Sequence, residues 1–169
     1  FRRGLEKGRA EGTSVWFLTG IPGAGKTSTI VRSGKIPDDV RLVFEGQLSK
    51  PRTSIEKIGM AIEAGLKPVI LVVHPTSENA LDKTLQRYVE YGRGAGIGVM
   101  ADIQGNLPNG LHSIHSAFGD RVELVIKDVR DRNAVATYIG WDHLSLLRSE
   151  GNRDQIYERL VAALERQRS

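Results

Sequence analysis

Residues 20–27 of this chain read Gly20-Ile21-Pro22-Gly23-Ala24-Gly25-Lys26-Thr27, the pattern G-x-x-x-x-G-K-T. Glycines at these positions let successive backbone N–H groups turn inward around an anion, and a helix that follows directs its positive end at the same point. In such a loop the lysine reaches the β- and γ-phosphates and the hydroxyl of the next residue ligates Mg²⁺. The flanks are right: SVWFLT, residues 14–19, is a short apolar run that predicts a buried strand, and residues 25–31 predict a helix. The nucleotide-binding set read from the loop is therefore Gly20, Gly23, Ala24, Gly25, Lys26, Thr27 and Ser28, with ATP as the expected ligand and Thr27 as the expected Mg²⁺ ligand.

Strand-like and helical segments alternate along the rest of the chain. Residues 41–44 and 122–126 predict strands, and the β-branched run 69–73 predicts a fully buried one. Helices are expected over 54–64, stopped by Gly65, and over 77–91 with Ser77 as N-cap. A glycine-rich segment at 92–98 predicts a mobile loop. One or two helical turns are expected over 111–118, and one or two helices from Asp142 onward with a break at Gly151. This alternation predicts an α/β protein of the P-loop NTPase fold, a mainly parallel sheet with helices on both faces. With 169 residues, a single domain is expected, here 14–169 behind an N-terminal extension at 1–13.

Composition removes several alternatives. The longest apolar run, 68–73, is far short of the roughly 20 residues that a bilayer requires, so no membrane partner is expected. The chain has no cysteine, which excludes a disulfide framework and fits a cytoplasmic protein. The formal net charge is +4. Its arginines at both ends are interleaved with acids such as Glu6, Glu11, Glu150, Asp154 and Glu158, which predicts solvated faces rather than a nucleic-acid surface. His112 and His115 are three apart and predict a surface pair, since no third metal ligand accompanies them.

The loop alone does not say what receives the phosphate. No N-K-x-D guanine reader is present, and no strand ends in two acids as in motor and helicase types, although Glu45 is a single acid at a strand end. Arg87, on the helix entering the glycine-rich segment, and Arg93, inside it, fit a lid that closes over a γ-phosphate and excludes water. A solvated helix residue and a plain connector would look the same.

Leu42-Val43-Phe44-Glu45-Gly46-Gln47-Leu48, the strand at 68–74, Thr84-Leu85-Gln86-Arg87-Tyr88-Val89-Glu90, Gly92-Arg93 and Asn106-Leu107-Pro108-Asn109-Gly110-Leu111 follow one another in that order. Together they resemble the zeta toxin family, over about residues 15–128. That family has the phosphate loop, a strand ending E-G-T, an R-Y-E helix, a second lid arginine and an N-L-P-x-x-L helix start. Its members are kinases that move the γ-phosphate of ATP to the 3′-hydroxyl of the aminosugar of UDP-N-acetylglucosamine, and many are restrained by an antitoxin. The resemblance implies Lys26 and Thr27 on phosphates and Mg²⁺, Arg87 and Arg93 as lid arginines, and Glu45 and Gln47 on the acceptor side.

Two departures accompany it. Gln47 replaces the Thr of E-G-T, and the segment carrying the acid thought to be the family's general base is reduced to residues 34–40. Asp38 or Asp39 could stand in for that base, and beside Pro37 they equally predict a turn. The alternatives left open are an ATP-binding, catalytically decayed toxin-like or interaction module, and a small ATPase.

Overall fold

The structure is a computed structural model that describes residues 13–26, 39–91, 96–131 and 133–168, with the backbone alone at Pro51, 87–91 and Arg168. Five strands form one sheet: β1 (Ser14–Thr19), β2 (Val40–Glu45), β3 (Lys67–His74), β4 (Glu123–Asp128) and β5 (Ala136–Ile139). Their spatial order is β2-β1-β3-β4-β5. The first three pairings are parallel and β5 joins antiparallel at the edge. The expected α/β architecture is present, with β1 between β2 and β3.

Alternate strand residues feed two cores. Val15, Phe17, Ile70, Val72, Leu124 and Ile126 pack under helix α1 (Pro51–Glu63) and the second half of α3 (Ile97–Phe118). Leu18, Leu71 and Val73 pack under α2 (Ser77–Tyr91), the start of α3 and α4 (Arg153–Arg168). Side chains such as Ile58, Ile70, Leu111 and Leu160 are fully buried, each worth about 1.5–3 kcal/mol relative to exposure.

Local signals explain the helix ends. Pro51 opens α1 three residues before the expected start, where its missing N–H costs nothing. Gly65, at φ +77°, closes it with Gly65 N–H on the Ile62 carbonyl and Leu66 N–H on that of Ala61, a Schellman ending. Thr76 rather than Ser77 caps α2, its hydroxyl accepting from Asn79 N–H at 3.2 Å. Asn152 and Gln155 cap α4 reciprocally, both bonds at 2.9 Å.

The largest departure from expectation is α3. It runs 22 residues from Ile97, so Ile97 and Gly98 belong to a helix rather than to the lid, and the N-L-P segment lies inside a helix rather than at its start. Its first half holds Met100 and Ala101 in one core, its second half Leu107 and Leu111 in the other. The helix therefore passes the C-terminal end of β3, where Gln104 Nε2 faces His74 Nδ1 at 3.5 Å. The C-terminal break at Gly151 (φ +99°) is as expected, between a 3₁₀ segment, Trp141–Arg148, and α4. Among the described residues no helix is long and apolar enough to cross a membrane.

Candidate functional site

The loop leaves the C-terminal end of β1, where ligands of open parallel sheets bind. Gly23 and Gly25 have φ of +85° and +78°, conformations that side chains resist. Space adds a second constraint. A Cβ on Gly23 would overlap the Ala80 carbonyl oxygen and lie 2.6 Å from Thr84 Oγ1, and one on Gly25 would lie 2.5 Å from Lys83 Nζ. Helix α2 thus lies directly on the loop. Thr84, buried, donates its hydroxyl to the Pro22 carbonyl at 3.3 Å, and Ala24 N–H closes a turn on Ile21 at 3.0 Å.

Lys26 has only 13% of its side chain exposed, and its Nζ stands 3.5 Å from Glu45 Oε1. Residues 22–26, Glu45 and Gln47 line a cleft of about 150 Å³. That is below the roughly 300–1,000 Å³ of whole-ligand pockets and suits a phosphate group at the loop. Phe44, edge-on to Phe17 at 6.0 Å and covered by Lys57 at 4.1 Å, fixes the end of β2 beside it. Gln47 is held through its backbone, its carbonyl accepting from Ser54 Oγ at 3.4 Å. The carbonyl of the next residue, Leu48, lies where a Cβ of Gly110 would be. The N-L-P-x-G-L segment thus seats the Gln47–Leu48 backbone.

Not every expected residue reaches this cleft. Asp39 is a turn residue at the opposite end of β2, where its backbone carbonyl accepts from Thr13 and Ser14 N–H and its carboxylate from Ser14 Oγ at 3.2 Å. Six strand residues separate it from Gly46, on the order of 20 Å at 3.3 Å per residue. Asp39 therefore does not serve this cleft as a base. Arg87 lies on α2, one turn beyond Lys83. Thr27, Ser28, Asp38 and Arg93 lie outside the described residues. Asp102, on α3, pairs with Arg153 at 2.7 Å. His115 stacks on Trp141 at 4.4 Å, and among the described residues no cluster of three metal-ligating side chains exists.

A polar network that the sequence did not suggest occupies the C-terminal ends of β3 and β4. His74, 1% exposed, faces Ser149 Oγ at 3.3 Å. Arg130 grips Asp128 through Nε and Nη2 at 3.0 and 2.7 Å and reaches Ser149 Oγ at 3.2 Å. Buried Glu150 accepts from Ser77 N–H at 2.6 Å and Ser77 Oγ at 3.1 Å, and Arg159 Nη2 reaches it at 3.3 Å. Burial pushes the His74 imidazole below its ordinary value, Arg130 adds to this, and Glu150 and Asp128 oppose it. Burial alone would raise the Asp128 carboxyl, but its bonds to Arg130 hold it below the usual range.

No family model matches the sequence, and no curated protein matches it. Solved structures do match in fold. One is from the PezAT chromosomal toxin–antitoxin system of the human pathogen Streptococcus pneumoniae, with TM-score 0.61 and 12% identity over 97% of this chain and 91% of that one. Another is the AvrRxo1-ORF1:AvrRxo1-ORF2 complex with sulphate ions, with TM-score 0.62 and 13% identity over 90% of this chain and 67% of that one. The ORF1:ORF2 complex with ATP matches likewise, at TM-score 0.62 and 14% identity. The chain has the P-loop α/β fold of these proteins, in agreement with the fold that the zeta toxin resemblance implies.

Proposed function

We propose that this chain is an Mg·ATP-dependent kinase of the zeta toxin type that phosphorylates a hydroxyl of a nucleotide sugar such as UDP-N-acetylglucosamine. The observation that carries the reading is the pairing of Lys26 and Glu45 across the mouth of the glycine loop. A phosphate-directed cation and an acceptor-side carboxylate then meet at one point. The left-handed glycines, packed on α2 with no room for side chains, fit the loop to a nucleoside triphosphate.

ATP supplies the γ-phosphoryl group when bound, and Thr27 is the residue assigned to its Mg²⁺. Backbone N–H groups of Gly25 and Lys26 are assigned to the phosphates, that of Ala24 being engaged with the Ile21 carbonyl, and Lys26 neutralises charge on the oxygens around the transferred phosphorus. The acceptor oxygen forms the new P–O bond as the bond to the β-γ bridging oxygen breaks. The hydroxyl proton passes to Glu45, the carboxylate beside the cleft among the described residues. Arg87 and Arg93 remain the proposed lid arginines. The toxin–antitoxin origin of the PezAT structure supports an antitoxin partner, and the absence of cysteine fits a cytoplasmic setting.

The placement of Asp39 supports a second reading. With that carboxylate engaged at the far end of β2, the chain would bind ATP without transferring phosphate, or hydrolyse it as a small ATPase. ADP release from Mg·ATP, with and without UDP-N-acetylglucosamine and with Lys26→Ala in parallel, separates the readings. Acceptor-dependent release lost in the variant supports the kinase. Acceptor-indifferent release supports an ATPase, and Lys26-dependent binding without release supports the binding module.

A further inference from the structure

We infer that Lys83 is a second phosphate-binding cation of this site, acting on the β- and γ-phosphates of the nucleotide alongside Lys26. The inference rests on the ATP-binding reading above. Lys83 projects from α2 onto the loop, its Nζ 2.5 Å from where a Cβ of Gly25 would stand. Gly25 is one of the residues lining the cleft, and its neighbour Lys26 is the loop lysine. The ammonium is thus held at the backbone that would wrap the anion.

The position is fixed from both sides of the helix. Thr84, next in the chain, is bonded to the Pro22 carbonyl, and Ala80, one turn before, presents its carbonyl to Gly23. From the other side α4 clamps α2: Arg159 grips Glu78 with two bonds at 2.9 and 2.8 Å, and Gln167 reaches Asp82 at 2.6 Å. A second ammonium at the loop beside Lys26 matches a chain of phosphates rather than a single anion.

The test titrates ATP, ADP and AMP into the full chain, its Lys83→Met and Lys83→Arg variants, and Lys26→Ala, with thermal melting as the folding control. Loss of one charge-assisted contact corresponds to about tenfold in affinity. Lys83→Met is expected to weaken ATP by that factor, ADP by less and AMP not at all, with Lys83→Arg within about threefold of the parent. Equal loss for all three nucleotides, no loss, or an Arg variant as weak as Met overturns the inference while the ATP-binding reading stands. A parent chain that binds ATP no better than Lys26→Ala overturns both.

Discussion

Lys26 and Glu45 face each other at 3.5 Å across the cleft, the lysine largely enclosed and the glutamate 56% exposed. A pair with one partner so open to water contributes near the bottom of the ~0–1 kcal/mol range of surface ion pairs. Its significance is positional: it joins the end of β2 to the loop after β1, two elements that are neighbours only because the strands are parallel. Glu45→Gln is expected to leave the melting temperature and ATP affinity nearly unchanged. Acceptor-dependent ADP release should fall by about 100-fold or more, as for loss of a general base. Lys26→Ala should lower ADP release by a similar factor and weaken ATP as well. Full turnover in Glu45→Gln would remove that carboxylate from the acceptor side.

The docking of α2 on the loop makes a graded prediction. Thr84→Val removes one hydrogen bond to Pro22, about 1 kcal/mol, and should weaken ATP only a few-fold. Gly23→Ala adds the left-handed penalty of about 1–2 kcal/mol and forces the Ala80 carbonyl away. It should therefore cost more stability and abolish ATP binding. Urea unfolding and ATP titration of both variants check the order. Near-parental binding by Gly23→Ala would mean that the cradle does not depend on this contact.

Much of this was readable in the residues, and the exceptions share a cause. The span of α2 and the buried strands β1 and β3 follow from apolar periodicity, which is local. Helix α3 was hidden because Gly105, Pro108 and Gly110 look like breakers. Two of them are there for distant neighbours: a Cβ on Gly105 would lie 2.7 Å from the Arg153 backbone, and one on Gly110 would overlap the Leu48 carbonyl. Strand β5 is four largely exposed edge residues with no buried face to mark it. Asp39 and Glu45 are equivalent as letters, and only strand direction separates the end that serves the loop from the end that does not. Lys83 belongs to no motif.

The buried His74 gives stability a pH dependence with a definite sign. In the unfolded chain its imidazole takes a proton near pH ~6.5, whereas in the folded chain burial holds its value lower. Below about 6.5 the unfolded state therefore binds more protons, and stability falls as pH falls, by at most about 1.4 kcal/mol per pH unit for this group. Asp128, held low by Arg130, contributes stability that is fully present above about pH 3.9 and lost as pH falls from there through its folded value. Urea unfolding between pH 7 and 5 should show this slope in the parent and a flatter one in His74→Gln. Equal slopes would mean that His74 is not the group responsible.

Gly110 separates helix propensity from site geometry. In an ordinary helix interior, Gly→Ala stabilises by up to about 1 kcal/mol. Here the new methyl would meet the Leu48 carbonyl and lie 3.1 Å from Ser49 Cα. Leu48 is itself buried in the core, so the backbone beneath it has little room to retreat. Overpacking of this kind costs about 1–3 kcal/mol, which outweighs the propensity gain, and Gly110→Ala should be less stable than the parent. The strain falls on the segment that carries Gln47 to the cleft, while Gly23, Gly25 and Lys26 are untouched. KM for the acceptor should therefore rise several-fold with ATP affinity unchanged. Unfolding curves, ATP titration and acceptor-dependent ADP release measure the three quantities on one variant. A more stable Gly110→Ala with parental KM would show that the Leu48 backbone yields, and that α3 does not position the acceptor side.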